Sequence, residues 1–398
     1  MASTAEQMRA WTGPALLTYG FRPFFLFAGL WAGLAMALWV PMLAGHLELP
    51  TAFDPVSWHA HELLFGYLGA VVAGFLLTAV PNWTGRLPIV GWPLAGLAGL
   101  WLAGRLAVFF SAALPPLAVA LIDLSCLIVL AVVIAREIVA GRNWRNLIVL
   151  AMLLVLTIGN AVFHWEAANG AYAAQGLGLR IGLAAGIMMI TVIGGRIVPS
   201  FTRNWLVREG DPARPSAVGP FDKAAILLTL FVLCAWVFMP ERALTGGGLI
   251  LAGLVQAVRL GRWAGWRTGT EPLVWILHVG YGFVPLGSLA IGVSILLPDL
   301  LQLAAAQHLW MAGAIGVMTV AVMTRATLGH TGRALTAGKG TGAVYLALIL
   351  SVFGRMLAGF LPDMASGLYS LAGGLWLLAF LGFVVLYGPL LLLPKPVR

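Results

Sequence analysis

Seven histidines are spread through a chain that offers little other polar chemistry. His59 and His61 open the stretch WHAHELLFGYLGAVVAGFLLTAVPNWTGR at 58–86, with Glu62 directly behind them, and His164, His278 and His308 stand in other apolar runs. Neutral imidazole is the side chain most used to hold haem iron or copper. A lone histidine in such a run can also simply hydrogen-bond a neighbouring helix or cap an end. Glu62 can orient an imidazole, accept a proton, or sit at a helix N-terminus, where negative charge is favoured. Arg105, Arg180 and Arg355 lie in apolar runs too, with Asp123 in a fourth. A guanidinium fork suits anionic groups such as haem propionates. Alternatively these arginines snorkel to the membrane surface, helped by a local Arg–Asp pair.

The elements that would position these residues are membrane helices. The chain of 398 residues is 61% hydrophobic and 9% charged, where a soluble protein carries about a quarter charged residues. Mean hydropathy is +0.96. A hydrocarbon core of about 30 Å takes about 20 apolar residues per helix. On that length twelve spans are expected, near 23–44, 60–81, 92–112, 115–138, 146–167, 177–199, 221–239, 244–260, 272–297, 302–324, 341–361 and 367–393. The runs are continuous, which argues against the alternating ten-residue pieces of a β-barrel. The expected fold is all-α, one polytopic membrane domain over residues 1–398, with no cleavable signal in residues 1–20.

Charge orients it. With the N-terminus inside, Arg9, Arg22, Arg86, Arg136, Arg142, Arg145, Arg203, Arg208, Arg214, Lys223, Arg259, Arg262, Arg267, Arg325, Arg333, Lys339, Lys395 and Arg398 fall on the cytoplasmic side and only Arg242 falls outside. The positive-inside rule then puts both termini in the cytoplasm. The net charge of +9 reflects these loops rather than a nucleic-acid partner. Trp58, Trp83, Trp144 and Trp165 are expected in an aromatic belt.

At about 1.5 Å of rise per residue, His59, His61, His164 and His308 share the outer layer, with Arg105, Arg180, Arg355 and Asp123 at similar depth. His278 and His330 form an inner layer, His330 in the adjoining loop, and His46 is an ordinary loop residue. His59 and His61 stand about 200° apart around a helix, so they should meet different partners. Ionisable groups inside a membrane are rare and usually functional, which favours a metal for the outer set taken together. His61 precedes Arg86 of TGR by 25 residues, as His308 precedes Arg333, so a threefold repeat of four-helix units is a further expectation.

Cys126 and Cys234 sit in neither CxxC nor CxxCH, leaving disulfide frameworks, iron–sulfur clusters and covalently attached haem unsupported. No phosphate loop or dinucleotide fingerprint suggests nucleotide-driven transport.

Several phrases resemble one family: YGFRPFFLFAGLWA at 19–32, HAHELLFG at 59–66, GFLLTAVPNWTG at 74–85, GGRIVPSFTRNW at 194–205 and HLWMAGAIGVMTVAVMTRATLGHTGR at 308–333. Together they are similar to the NnrS family over nearly the whole chain. The resemblance implies a twelve-span bacterial inner-membrane protein containing haem and copper and tied to nitric oxide metabolism, in denitrification or nitrosative stress. A fainter similarity is to the catalytic subunit of haem–copper oxidases and nitric oxide reductases, where a low-spin haem bridges spans 2 and 10. The sixth and seventh spans here contain no histidine, so that group's second metal site does not carry over.

The resulting expectation is a membrane protein that binds or turns over nitric oxide, as a reductase-like redox enzyme. A non-covalent b-type haem lies between His61 and His308, and Arg105, Arg180 and Arg355 clamp its propionates. His59, His164, His278 and His330 are metal ligands, copper included, supported by Glu62 and Asp123. Membrane lipid surrounds it, and a quinol or another donor supplies electrons. The alternatives are a transporter or metal-delivery protein, and a haem protein that only senses or scavenges nitric oxide. Carriers favour inverted repeats with broken helices at the midplane, whereas the repeat expected here is parallel.

Overall fold

The computed structural model describes residues 11–84 and 88–394, without side chains at 82–84. Arg9, Arg86, Lys395 and Arg398 of the charge count, the Trp83 ring and the first ten residues of the leading segment lie outside this description. Among the described residues 80% are helical and no strand occurs. Twelve helices are long and apolar enough to cross a membrane: α1 (Phe21–Leu43), α2 (Pro55–Pro81), α3 (Trp92–Phe109), α4 (Pro116–Ala140), α5 (Trp144–Ala168), α6 (Leu177–Arg208), α7 (Pro220–Phe238), α8 (Ala243–Gly261), α9 (Pro272–Leu296), α10 (Leu303–His330), α11 (Lys339–Leu357) and α12 (Pro362–Leu392). The chain is a multi-pass membrane protein.

Contacts gather these helices into two compact units. One comprises α1–α5 with the start of α6 and the ends of α10 and α12; the other holds the rest of α6 and α10, α7–α9, α11 and the start of α12.

The helix ends follow local chemistry. Asp54 caps α2 by accepting from Val56 N at 3.0 Å and Ser57 N at 2.9 Å, with Pro55 at the first helical position. A proline there loses no hydrogen bond and has its φ preset. α2 therefore starts five residues before the apolar run does, and His59, His61 and Glu62 lie within it rather than at its mouth. Glu166 closes α5 onto α6 by accepting from Leu177 N at 2.6 Å and Gly178 N at 3.0 Å. α10 continues to His330, so that residue ends a helix instead of standing in a loop. Of the expected belt, Trp144 and Trp165 are well exposed, but Trp58 is fully buried.

α2, α6 and α10 depart from regular geometry in the same way. π-helical turns run over Glu62–Tyr67, Ile190–Gly194 and Leu309–Val317. They begin directly after His61, Met189 and His308, and a glycine follows each of these by five residues: Gly66, Gly194 and Gly313. A widened turn leaves carbonyls to be satisfied from outside the ladder. Trp101 Nε1 donates to the Gly66 carbonyl at 2.9 Å, Arg259 Nη1 to that of Thr191 at 3.0 Å, and Thr319 Oγ1 to those of Ile315 and Gly316 at 2.6 and 2.9 Å. These three helices are also the most deeply packed, with 83, 78 and 72% of the crossing segment buried against 56% at most elsewhere.

In the second unit a buried network ties α7, α8 and α9. Arg259 donates to Asp222 Oδ1 at 3.0 Å and to Tyr281 Oη at 2.8 Å, and Tyr281 donates to Gln256 Oε1 at 2.7 Å. Every charged member has a partner, as burial in low dielectric demands.

Candidate metal centre

Four helices of the first unit bring their polar residues to one place. α2 supplies His61 and Glu62, α3 supplies Arg105, α4 supplies Asp123, and α5 supplies Asn160 and His164, one turn apart on one face. His61 and Glu62 are wholly buried, Arg105 and Asp123 nearly so, and Asn160 and His164 are also inside. Burial on this scale is tolerable only because each group meets another.

His61 Nδ1 donates to Glu62 Oε1 at 3.0 Å. Its Nε2 faces Asn160 Oδ1 at 3.0 Å and Asp123 Oδ2 at 3.2 Å. Both ring nitrogens therefore look at oxygen acceptors, and in this arrangement the ring donates from both. His164 Nε2 donates to the same Asp123 Oδ2 at 3.0 Å, and Asn160 Nδ2 donates to it at 2.7 Å. Arg105 Nη1 reaches Glu62 Oε1 and Oε2 at 2.7 and 2.6 Å, while its Nη2 pairs with Asp123 Oδ1. Trp31 Nε1, from α1, donates to Glu62 Oε2 at 2.7 Å.

Three donor atoms converge: one from each of His61, Asp123 and His164, all within 4.8 Å of one another. The two imidazole rings meet edge to face with centroids 4.9 Å apart. Phe53 lies against both rings, at 5.6 and 5.8 Å, and Phe65 and Phe163 each lie 5.5 Å from His61. Two carboxylates face one guanidinium and the doubly donating His61 ring, so the group is charge-balanced as it stands, and it carries one net negative charge once His61 gives up its second ring proton to ligate. That is the environment a cation would satisfy.

Close approach of the helices rests on glycine. A Cβ on Gly66 would come 2.5 Å from Arg105 Nη1, and one on Gly104 would come 2.8 Å from Asp123 Oδ1.

The remaining sequence-predicted residues are placed as follows. His59 stacks on Trp39 of α1, with centroids 3.9 Å apart and planes at 22°, so it turns from His61 as their spacing requires. His308, in the second unit, donates Nδ1–H to the Ala304 carbonyl at 2.6 Å. His278 bonds Thr202 Oγ1 through Nε2 at 2.7 Å. The His330 ring lies 5.4 Å from Phe21. Arg180 donates to the Gln175 carbonyl at 2.8 Å, and Arg355 lies over Tyr369 with Cζ 4.7 Å from the ring centroid. Arg105 spends its guanidinium on Glu62 and Asp123, the local carboxylate pairing set against the propionate clamp.

Sequence reasoning missed two members. Asn160 shares a helix face with His164 by its i, i+4 spacing and was findable on that ground. Trp31 carried no signal, since an indole in an apolar run looks like packing.

Two imidazole nitrogens and a carboxylate oxygen make a donor set that copper(II), zinc or non-haem iron accepts. Glu62 and the rest of the shell supply the outer hydrogen bonds that hold such ligands in place. Cys126 takes no part, its Sγ lying 3.6 Å from the Leu97 carbonyl. For haem, the bearing observations are the His308 Nδ1 tether, which leaves the lone pair on Nε2, and the buried Arg355 Nη1, which has no hydrogen-bond partner.

No curated protein matches the chain. A family model described as NnrS protein matches residues 15–395. The match takes in every helix that builds the centre, so the chain belongs to the NnrS family and is a membrane protein related to nitric oxide.

Proposed function

We propose that the protein holds a redox-active metal through His61, Asp123 and His164, copper being one that the donor set accepts and the one that NnrS membership favours, and acts on nitric oxide there as a redox enzyme of a bacterial inner membrane. The observation that carries this is the convergence of those three donor atoms within 4.8 Å in the buried interior of apolar helices. Copper held there would supply a one-electron couple and a coordination position for a small diatomic molecule.

The chain's own residues do the rest. Glu62 accepts from His61 Nδ1 and so points Nε2 toward Asp123. Arg105 and Trp31 fix Glu62, and Arg105 balances part of the charge of Asp123. Phe53, Phe65 and Phe163 keep bulk water from the rings. Nitric oxide is small and apolar, so it can reach such a site through lipid. Reduction would draw electrons from a quinol or another membrane protein. A non-covalent haem, with His308 as a ligand, would be a second redox group.

The test is elemental and kinetic. Purified wild-type protein should contain copper, and His164→Ala should lose it while still inserting. With excess reductant at an electrode, nitric oxide should disappear well beyond one equivalent per metal. Protein devoid of copper and of iron removes the reading; consumption that stops at one equivalent reduces it to capture.

A further inference from the structure

Buried arginines in this protein are given oxygen. Arg22 donates to the carbonyls of Leu391 and Leu393, Arg105 to two carboxylates, and Arg259 to Asp222, Tyr281 and a carbonyl. Arg22 and Arg105 leave only the inner Nε unmet, whereas Arg355 leaves a terminal nitrogen of its fork unmet. Its Nη1 is buried without a hydrogen-bond partner, and no carboxylate pairs with it among the described residues. Its guanidinium rests instead on the Tyr369 ring. An unmet hydrogen bond at a buried charged group costs more than one at a neutral group. Snorkelling does not account for it, because Nη1 is enclosed by the protein's own atoms.

The surroundings define what would meet it. Arg355 occupies the last turn of α11, near the end of a membrane-crossing helix. Phe353, Leu357, Phe360 and Met364 around that turn are exposed apolar side chains. The anion implied is thus attached to an apolar body. His308 stands at a similar height on the adjacent helix. A Cβ on Gly359 would come 2.5 Å from the Ala305 side chain, and about one turn inward from that contact lie Arg355 on α11 and His308 on α10. The His308 tether to Ala304 fixes its tautomer, as outer-shell hydrogen bonds do for ligating imidazoles.

We propose that Arg355, seated on Tyr369 beside His308, binds the anionic end of an amphiphile: a carboxylate or phosphate carried on a large apolar body. Arginine's planar fork suits either group. Arg355 is partly exposed, so the anion reaches the fork from the membrane side, and a small turn off the Tyr369 ring satisfies Nη1. Two molecules share this chemistry, a haem with its propionates and a phospholipid with its phosphate. The site does not rest on the reading of the His61 centre.

The full chain would be purified in mild detergent as wild type, Arg355→Lys, Arg355→Gln and His308→Ala, then washed at high salt. Haem would be measured by absorbance, phospholipid by mass spectrometry, and copper by elemental analysis. Retention of haem or of phospholipid should fall in the order wild type, R355K, R355Q, with R355Q losing about tenfold, as one charge-assisted pair is worth. Loss of haem in both R355Q and H308A identifies haem; loss of phospholipid in R355Q alone identifies the lipid. Copper should be unchanged in both Arg355 variants, which keeps this result separate from the fate of the metal centre. Wild-type retention of both molecules in monodisperse R355Q overturns the proposal. Should R355Q fail to insert, retention by R355K equal to wild type overturns it.

Discussion

Glu62 is held from three directions, by His61 Nδ1, Arg105 Nη1 and Trp31 Nε1. Its carboxylate touches both the ring that would ligate and the cation that balances the site, as Asp123 does, but from outside the set of three donor atoms. Glu62→Gln keeps the size but offers one acceptor oxygen where three donors arrive, leaving a donor facing the amide nitrogen. Loss of an outer-shell partner of this kind weakens metal binding about 10–100-fold. A competition titration of copper against a chelator on purified E62Q should show that drop with unchanged stoichiometry; wild-type affinity would remove Glu62 from the centre. At this scale much could be read from the chain. His61, His164, Asp123, Glu62 and Arg105 stood out because each is costly inside lipid. What was hidden is their allocation. Arg105 could equally face a ligand or a local carboxylate, and only the positions of α2 and α4 decide between them.

Helix lengths were legible because a bilayer imposes them, and every expected span has its helix. The start of α2 was misplaced because hydropathy finds where lipid-facing residues begin, whereas the Asp54–Pro55 cap sets where helical hydrogen bonding begins. The π turns left no signal in hydropathy. Their trace is a shared glycine five residues after His61, Met189 and His308, too slight a mark to notice among 49 glycines. In α2 that glycine has a specific task. A Cβ on Gly66 would lie 2.5 Å from Arg105 Nη1, and that nitrogen cannot retreat, since both Glu62 oxygens hold it. Gly66→Ala should therefore cost about 1–3 kcal/mol, the usual range for overpacking, and should loosen the centre as well. Thermal unfolding of G66A in detergent measures the first effect, and its copper content the second. An unshifted transition with full copper would mean that α2 and α3 are free to separate.

Twelve crossings return the chain to the side it started from, and the basic residues then say which side that is. If the helices alternate, the loops at 141–143, 209–219, 262–271 and 331–338 share one side and carry Arg142, Arg214, Arg262, Arg267 and Arg333. The opposite loops, 44–54, 110–115, 169–176, 239–242, 297–302 and 358–361, carry Arg242 alone. Such a bias orients a bundle with its basic loops in the cytoplasm. On that orientation, and with the proposed function, His61 and His164 would lie nearer the periplasmic side, so electrons and protons for chemistry on nitric oxide would have to reach that half of the membrane. Reporter fusions test this directly. Alkaline phosphatase should be active when joined after Gly170 or Arg242 and inactive after Arg142, Gly210 or Arg267, where a fluorescent protein should fold instead. The reverse pattern would turn the centre toward the cytoplasm and leave the charge bias without its usual cause. A mixed pattern would break the alternation itself, and with it the assignment of all twelve helices as crossings.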